Sequence, residues 1–204
     1  MARLSIASTW RRAMPKTSKK GAAEHPQINA GLVEAAIRRH VDPRGANTLI
    51  PEAEIRWGVG SQRGVYRADF VMVTRSSYAT ELEVKVSLAD WRKDLSKPKW
   101  VGMPAWITRF VYVVPEQLGI PEWVPAHAGV WHVRPRPSQY EAWEGPRRPD
   151  GYQIVVARAP HVLGREKLPA AVLGTWLRNL YYRYWEQRVH LEGRIARHVR
   201  ERVA

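Results

Sequence analysis

The sequence predicts an α/β fold in which a helix leads into a three-strand meander, followed by a second helix, further strands and a long basic C-terminal helix. Two observations predict it. Apolar residues repeat at helical spacing near residue 30 and through the last forty residues, whereas short strand-like segments bounded by turn residues lie between them. The 204 residues fit one domain with appended segments, which we place at 1–24, 25–163 and 164–204.

The first helix is predicted from about Ile28 to Val41, because apolar residues fall on one face and Asp42-Pro43 then ends it. Glu34 lies inside that apolar stripe, where a carboxylate is unexpected. Glycines and the Arg75–Ser77 turn separate three strand candidates that form the meander. These strands are expected at 53–57, 66–74 and 78–87.

A second helix is predicted from Leu88 to about Leu95, with Ser87 as its N-cap and Pro98 beyond it. The last forty residues form the strongest helical pattern, with apolar residues on one face and arginines around the rest. That helix either packs on the core as an ordinary surface helix, or lies along a nucleic-acid backbone or a partner helix. Three further strands, the first of them fully apolar, are expected at 110–114, 129–133 and 152–158.

The charge balance indicates a polyanionic partner. Lys and Arg number 33 against 19 Asp and Glu, a formal net charge of +14, which favours nucleic acid first and an anionic membrane second. The absence of cysteine excludes a disulfide framework, a thiolate zinc site and a cysteine nucleophile. No apolar stretch approaches the ~20 residues of a membrane span, so a soluble protein is expected, with DNA and not a membrane as its partner.

Residues 1–24 contain six cations and no acid before Glu24, which predicts a flexible basic arm that contacts DNA. The same composition describes an organelle transit peptide, so both interpretations stay open. The arm residues expected to bind DNA are Arg11, Arg12, Lys19 and Lys20.

The residues that carry chemistry lie on the second and third predicted strands. Since side chains alternate along a strand, Leu82, Val84 and Val86 should form the buried face, and the charged residues 81, 83 and 85 the other. A hairpin would bring the carboxylate of Asp69 towards that charged face. Mg²⁺ prefers carboxylate oxygens and supplies an acidic water, so two carboxylates beside a lysine suit phosphodiester hydrolysis. The alternative is a solvated hairpin with a cross-strand ion pair.

The order of helix, meander, Asp69, Glu83-Val84-Lys85, helix and apolar strand resembles the core of the PD-(D/E)XK nuclease superfamily. The similarity is greatest to its MmcB-like branch of small DNA-repair and phage endonuclease-like proteins. It extends to Asp90-Trp91, Asp94 and Lys99-Trp100, and covers about residues 29–114. Ala68 stands where the family usually has proline, and Lys97-Pro98 interrupts the approach to Lys99.

This resemblance implies a restriction-endonuclease-like core and a Mg²⁺-dependent DNA endonuclease, with Mn²⁺ able to substitute. Asp69, Glu83 and the Val84 carbonyl would then bind the metal, and Lys85 would be the catalytic lysine. Glu34 and Glu81 would be supporting acids. Around the second helix, the residues expected to face DNA are Asp90, Lys97, Lys99 and Trp100, although a solvated face with ordinary charge pairs is the alternative.

Three classes of function therefore compete. The first is a DNA endonuclease of repair, recombination or phage DNA processing, located in the cytoplasm of a bacterium or phage-infected host, with a homodimer left open. The second is a catalytically silent DNA-binding or replication-partner module on the same fold. The third, a basic RNA-binding protein, explains the net charge but not the carboxylates.

Overall fold

The computed structural model describes residues 28–41, 46–58, 63–97, 100, 102–136 and 151–203. The helices are α1 (Ala30–Val41), α2 (Leu88–Asp94) and α3 (Ala170–Val203), with a short 3-10 turn at Glu116–Leu118. The strands are β1 (Asn47–Trp57), β2 (Gly64–Thr74), β3 (Ala79–Val84), β4 (Ile107–Pro115), β5 (Gly129–Pro135) and β6 (Tyr152–Arg158).

The six strands form one mixed sheet in the order β1-β2-β3-β4-β5-β6. Strands β1, β2 and β3 are antiparallel neighbours, which confirms the predicted meander. Strands β3, β4 and β5 run parallel, and β6 returns antiparallel to β5. Because parallel neighbours need a crossover, the chain passes through α2 between β3 and β4. The predicted α/β class is confirmed.

Apolar cores cover both faces of the sheet. On one face, Val33 and Ile37 of α1 belong to a cluster with Phe70 and Leu82. On the other, the start of α3 packs over β1 and β2, and α2 packs over β4 and β5 through Trp91. The middle of the sheet is therefore buried on both sides, which constrains any charged residue there to find partners within the protein.

Several element boundaries differ from the sequence predictions, as at β1, β3 and α3. Strand β1 begins at Asn47 rather than at residue 53, and it contains Pro51. A proline is tolerated there because β1 is an edge strand, where a missing N–H need not break a ladder. Strand β3 ends at Val84 rather than at residue 87. Helix α3 begins at Ala170 rather than at residue 164, directly after Pro169, since the preceding segment is held extended by the hydrogen bond from the Leu168 N–H to the Ser77 carbonyl.

Several predictions fall outside the described residues. They include the basic arm with Arg11, Arg12, Lys19 and Lys20, as well as Lys99. Among the residues that the structure does describe, no helix combines the length and the apolar character needed to cross a membrane.

Candidate active site

The candidate site lies where strands β2 and β3 separate. Their backbone pairing runs from Val73 with Ala79 to Phe70 with Leu82, and the same register places Asp69 opposite Glu83. Here a side chain replaces a backbone carbonyl as the acceptor: the Asp69 Oδ2 accepts a hydrogen bond from the Val84 N–H at 2.7 Å. One carboxylate is thus fixed beside the residue that follows Glu83.

Four side chains on the next part of the chain form what we call the buried charge cluster: Glu83, Lys85, Asp94 and Lys97. The Lys85 Nζ lies 2.7 Å from the Glu83 Oε1 and 3.5 Å from the Asp94 Oδ1. The Lys97 Nζ lies 3.1 Å and 2.6 Å from the same two oxygens. Two carboxylates and two ammonium groups therefore alternate in a closed ring whose formal charges cancel.

This cluster corrects the prediction that only the Leu82 face of β3 is buried, because the charged face is buried as well. Side-chain exposure is 4% for Glu83, 5% for Lys85 and 0% for Asp94, and only Lys97 reaches solvent, at 48%. Leu82 is buried as expected, but Val86 is exposed. The charged face is buried because α2 returns over it, so the solvated-hairpin alternative is wrong for these residues. Val86 is exposed because it lies beyond the end of β3 at Val84.

Helix α2 is held in place by its cap and by aromatic packing. The Ser87 hydroxyl accepts a hydrogen bond from the Asp90 N–H at 3.2 Å, which confirms the predicted N-cap. Trp91 is fully buried, with its ring 5.2 Å from that of Tyr112 and 5.6 Å from that of Trp123. Asp94 follows Trp91 by three residues and so lies on the same buried face of the helix.

Two tyrosine hydroxyls complete the surroundings of the carboxylates. Tyr66 donates to the Glu81 Oε2 at 2.6 Å, and Tyr112 donates to the Asp94 Oδ2 at 2.9 Å. Burial raises the pKa of each tyrosine, and the adjacent carboxylate, Glu81 or Asp94 respectively, raises it further. Both hydroxyls therefore remain hydrogen-bond donors at neutral pH.

Lys97 is the cluster member at the solvent boundary. Burial, its largest single influence, lowers its pKa, but the hydrogen bonds and negative charges of Asp94 and Glu83 together outweigh burial and raise the pKa above the usual lysine value. Lys97 therefore stays an ammonium group at neutral pH, within reach of a ligand that approaches from outside.

The other predicted site residues lie at different distances from the buried charge cluster. Asp90 is mostly exposed, and its Oδ2 lies 3.7 Å from the Lys85 Nζ at the rim of the cluster. Glu81 is buried on β3, two residues before Glu83, and accepts a hydrogen bond from the Tyr66 hydroxyl. Glu34 is half-buried on α1, which covers the opposite face of the sheet, so the structure does not place it in the cluster.

Trp100 has a structural role that the sequence did not indicate. Its indole N–H donates to the Asp94 carbonyl at 3.0 Å, and its ring lies 4.7 Å from that of Phe110. It therefore fixes the end of α2, and its contact with DNA stays a prediction. The sequence also did not indicate that Tyr66 and Tyr112 bond to the site carboxylates, or that Asp94 is buried in contact with both lysines. The spacing from Trp91 to Asp94 was the one available signal.

The oxygen donors fit a hydrated divalent ion rather than a fully protein-bound one. Among the described residues, no three His, Asp or Glu side chains are grouped so that they could hold a metal. Mg²⁺, however, usually keeps several waters and binds through one or two carboxylates and the substrate phosphate. Two of the predicted ligands, the carboxylates of Asp69 and Glu83, belong to this part of the sheet, and the Glu83 Oε1 is already in contact with two lysines.

Comparisons with known proteins add little. No family model matches the chain, and no curated protein matches it. Among solved structures, it is similar to a protein of unknown function from Silicibacter pomeroyi, with a TM-score of 0.48 and 18% sequence identity over 78% of this chain and 89% of that one. The protein is therefore a mixed α/β protein with a six-stranded sheet and a buried charge cluster where β2 and β3 separate.

Proposed function

We propose that this protein is a Mg²⁺-dependent deoxyribonuclease with a restriction-endonuclease-like core. It would act in DNA repair, recombination or phage DNA processing, in the cytoplasm of a bacterium or a phage-infected host. The observation that carries the proposal is the juxtaposition of Asp69 with the buried charge cluster at the opening between β2 and β3.

The cost of burying these charges supports a functional role. Taking carboxylates and amines out of water costs several kcal/mol per ion, and replacing a buried ion pair by apolar residues is often neutral or stabilising. Stability alone therefore gives little reason to bury Glu83, Lys85 and Asp94. The pKa of Lys97 is shifted by burial and by the charges of Asp94 and Glu83, and groups of this kind are typical of functional sites.

Each residue can be given a role in phosphodiester hydrolysis. A Mg²⁺ ion held by Asp69 and Glu83 would supply an acidic water and neutralise charge on the phosphate. Lys85, fixed between Glu83 and Asp94, would orient the attacking water and stabilise the developing phosphorane charge. Lys97, at the solvent side, would contact the phosphate of the bound strand.

The positive charge of the chain supports DNA as the substrate. A formal net charge of +14 attracts a polyanion and releases its condensed counterions on binding. This electrostatic attraction does not depend on base sequence.

One observation favours the alternative of a catalytically silent DNA-binding or replication-partner module. The Glu83 Oε1 contacts both lysines, at 2.7 Å and 3.1 Å, so an incoming metal must compete with two ammonium groups. A cluster that served only to hold α2 against the sheet would have the same ring of contacts.

A cleavage assay separates the two functions. The purified chain is incubated with branched and linear DNA in Mg²⁺, in Mn²⁺ and in EDTA. We expect cleavage that EDTA abolishes. Lys85→Ala should reduce it by roughly 1000-fold, as for loss of a transition-state-stabilising group, yet leave DNA affinity within several-fold.

The control is Lys93→Ala, which removes the same charge from the exposed face of α2 and should leave cleavage unchanged. If the wild type and Lys85→Ala are equally inactive on every DNA, the silent module is the better account.

A further inference from the structure

Helix α3 consists of a packed part and a projecting part. Near its start, Trp176 is buried and its indole N–H donates to the Glu54 carbonyl at 2.8 Å. Arg183 still reaches the sheet, with its Nη1 2.9 Å from the Glu52 Oε2. From residue 184 to residue 198 every side chain is exposed. At 1.5 Å per residue, this projecting part extends for roughly 20 Å.

An apolar stripe runs along the exposed side of α3. We call it the α3 seam: positions 177, 181, 184, 188, 191, 195 and 198, separated alternately by four and three residues. This 3.5-residue period is the pattern of a helix that packs along another helix. Five of the positions are apolar or aromatic and between 43% and 59% exposed, namely Leu177, Tyr181, Tyr184, Leu191 and Ile195.

The charges of α3 are arranged around this seam. Its one arginine, Arg188, forms an ion pair with Glu192 of the same helix at 2.9 Å, so the positive charge on the seam is neutralised within the helix. At 100° per residue, His190 and Arg197 lie on the opposite side of the helix. On the seam itself, the one arginine is therefore already paired when two seams meet.

The exposed area is sufficient for a stable interface. Half-exposed leucine, isoleucine, tyrosine and tryptophan side chains each offer on the order of 100 Å². The five seam residues and the adjacent Trp185 thus present roughly 600 Å² per chain, or about 1,200 Å² for a pair, which reaches the size of specific interfaces. Leaving such a patch in water is uncommon for a monomeric protein.

We propose that the α3 seam binds the same seam of a second copy of this chain, so that the protein is a dimer joined helix to helix. A nucleic-acid strand fits less well, because the aliphatic Leu191 and Ile195 neither stack on bases nor bind phosphates. The basic residues on the far side of α3 remain accessible in the dimer. This proposal does not depend on the nuclease activity.

The test is the mass of the full chain in solution, measured by sedimentation velocity over a concentration series. We expect a dimer at roughly 50 μM that dissociates on dilution by mass action. Leu191→Lys/Ile195→Lys should be a monomer at every concentration. The matched control His190→Lys/Ala196→Lys adds two lysines outside the seam and should remain a dimer.

Helix content from circular dichroism shows whether each variant stays folded. A wild-type chain that is monomeric throughout the series would overturn the proposal, as would a seam variant that stays dimeric. If the chain is monomeric and the seam variant loses affinity for single-stranded DNA, the seam is a nucleic-acid surface and the dimer proposal is wrong.

Discussion

The buried charge cluster and the α3 seam depart from the usual distribution of side chains in opposite directions. In the cluster, Glu83, Lys85 and Asp94 are charged and buried; in the seam, Tyr184 and Ile195 are apolar and exposed. Both arrangements cost free energy. The cluster offsets its cost within the chain, because each charge has an opposite charge in contact. Among the described residues the seam has no such compensation, so the cluster points to a function within the chain and the seam to a binding partner outside it.

The largest expected effect on stability is the loss of a buried cation. Lys85→Met should lower the free energy of unfolding by about 3 kcal/mol, because it leaves the buried Glu83 and Asp94 with one shared lysine. Arg56→Met breaks the exposed contact with Glu54 and should cost less than about 1 kcal/mol. Urea unfolding of both variants measures the difference. Equal losses would mean that the cluster is as solvated as a surface pair.

The sequence predicted those parts of the molecule that depend on local periodicity. The stripe of α1 and the meander follow from local spacing, and both are present. The predicted C-terminal helix is present too, but only the start of its apolar stripe packs on the core. Boundaries were less accurate where a neighbouring strand decides them, as at β1, whose pairing with β2 continues past Pro51.

The sequence could not reveal how deeply the site is buried. Alternation on β3 correctly separated Leu82 from Glu83, but which face is covered depends on the return of α2 between β3 and β4. The hydrogen bond from the Val84 N–H to Asp69 likewise depends on the pairing register between two strands. The partners Tyr66 and Tyr112 lie 15 and 18 residues from the carboxylates that they contact, beyond the reach of any short motif.

A smaller effect concerns the alkaline stability of the charged region. Burial first, and then the charge and hydrogen bond of Glu81, raise the pKa of Tyr66 above its value of about 10 in the unfolded chain. A raised pKa in the folded state gives stability that is complete below about pH 10 and lost as the pH rises further. Tyr66→Phe should therefore make the free energy of unfolding fall less steeply with pH, by up to about 1.4 kcal/mol per pH unit, between about pH 10 and pH 11. An unchanged slope in urea titrations would show that Tyr66 ionises in the folded protein.

The most direct test of the account is a calorimetric titration of the full chain with Mn²⁺, with and without DNA. The wild type should bind one ion weakly, and Asp69→Asn should bind none, since it removes one of the two carboxylates. Lys97→Met should bind the ion several-fold more tightly, because an ammonium group no longer competes for the Glu83 Oε1, whereas Lys93→Met should match the wild type. No binding by the wild type, or binding that survives Asp69→Asn unchanged, would contradict a metal site formed by Asp69 and Glu83.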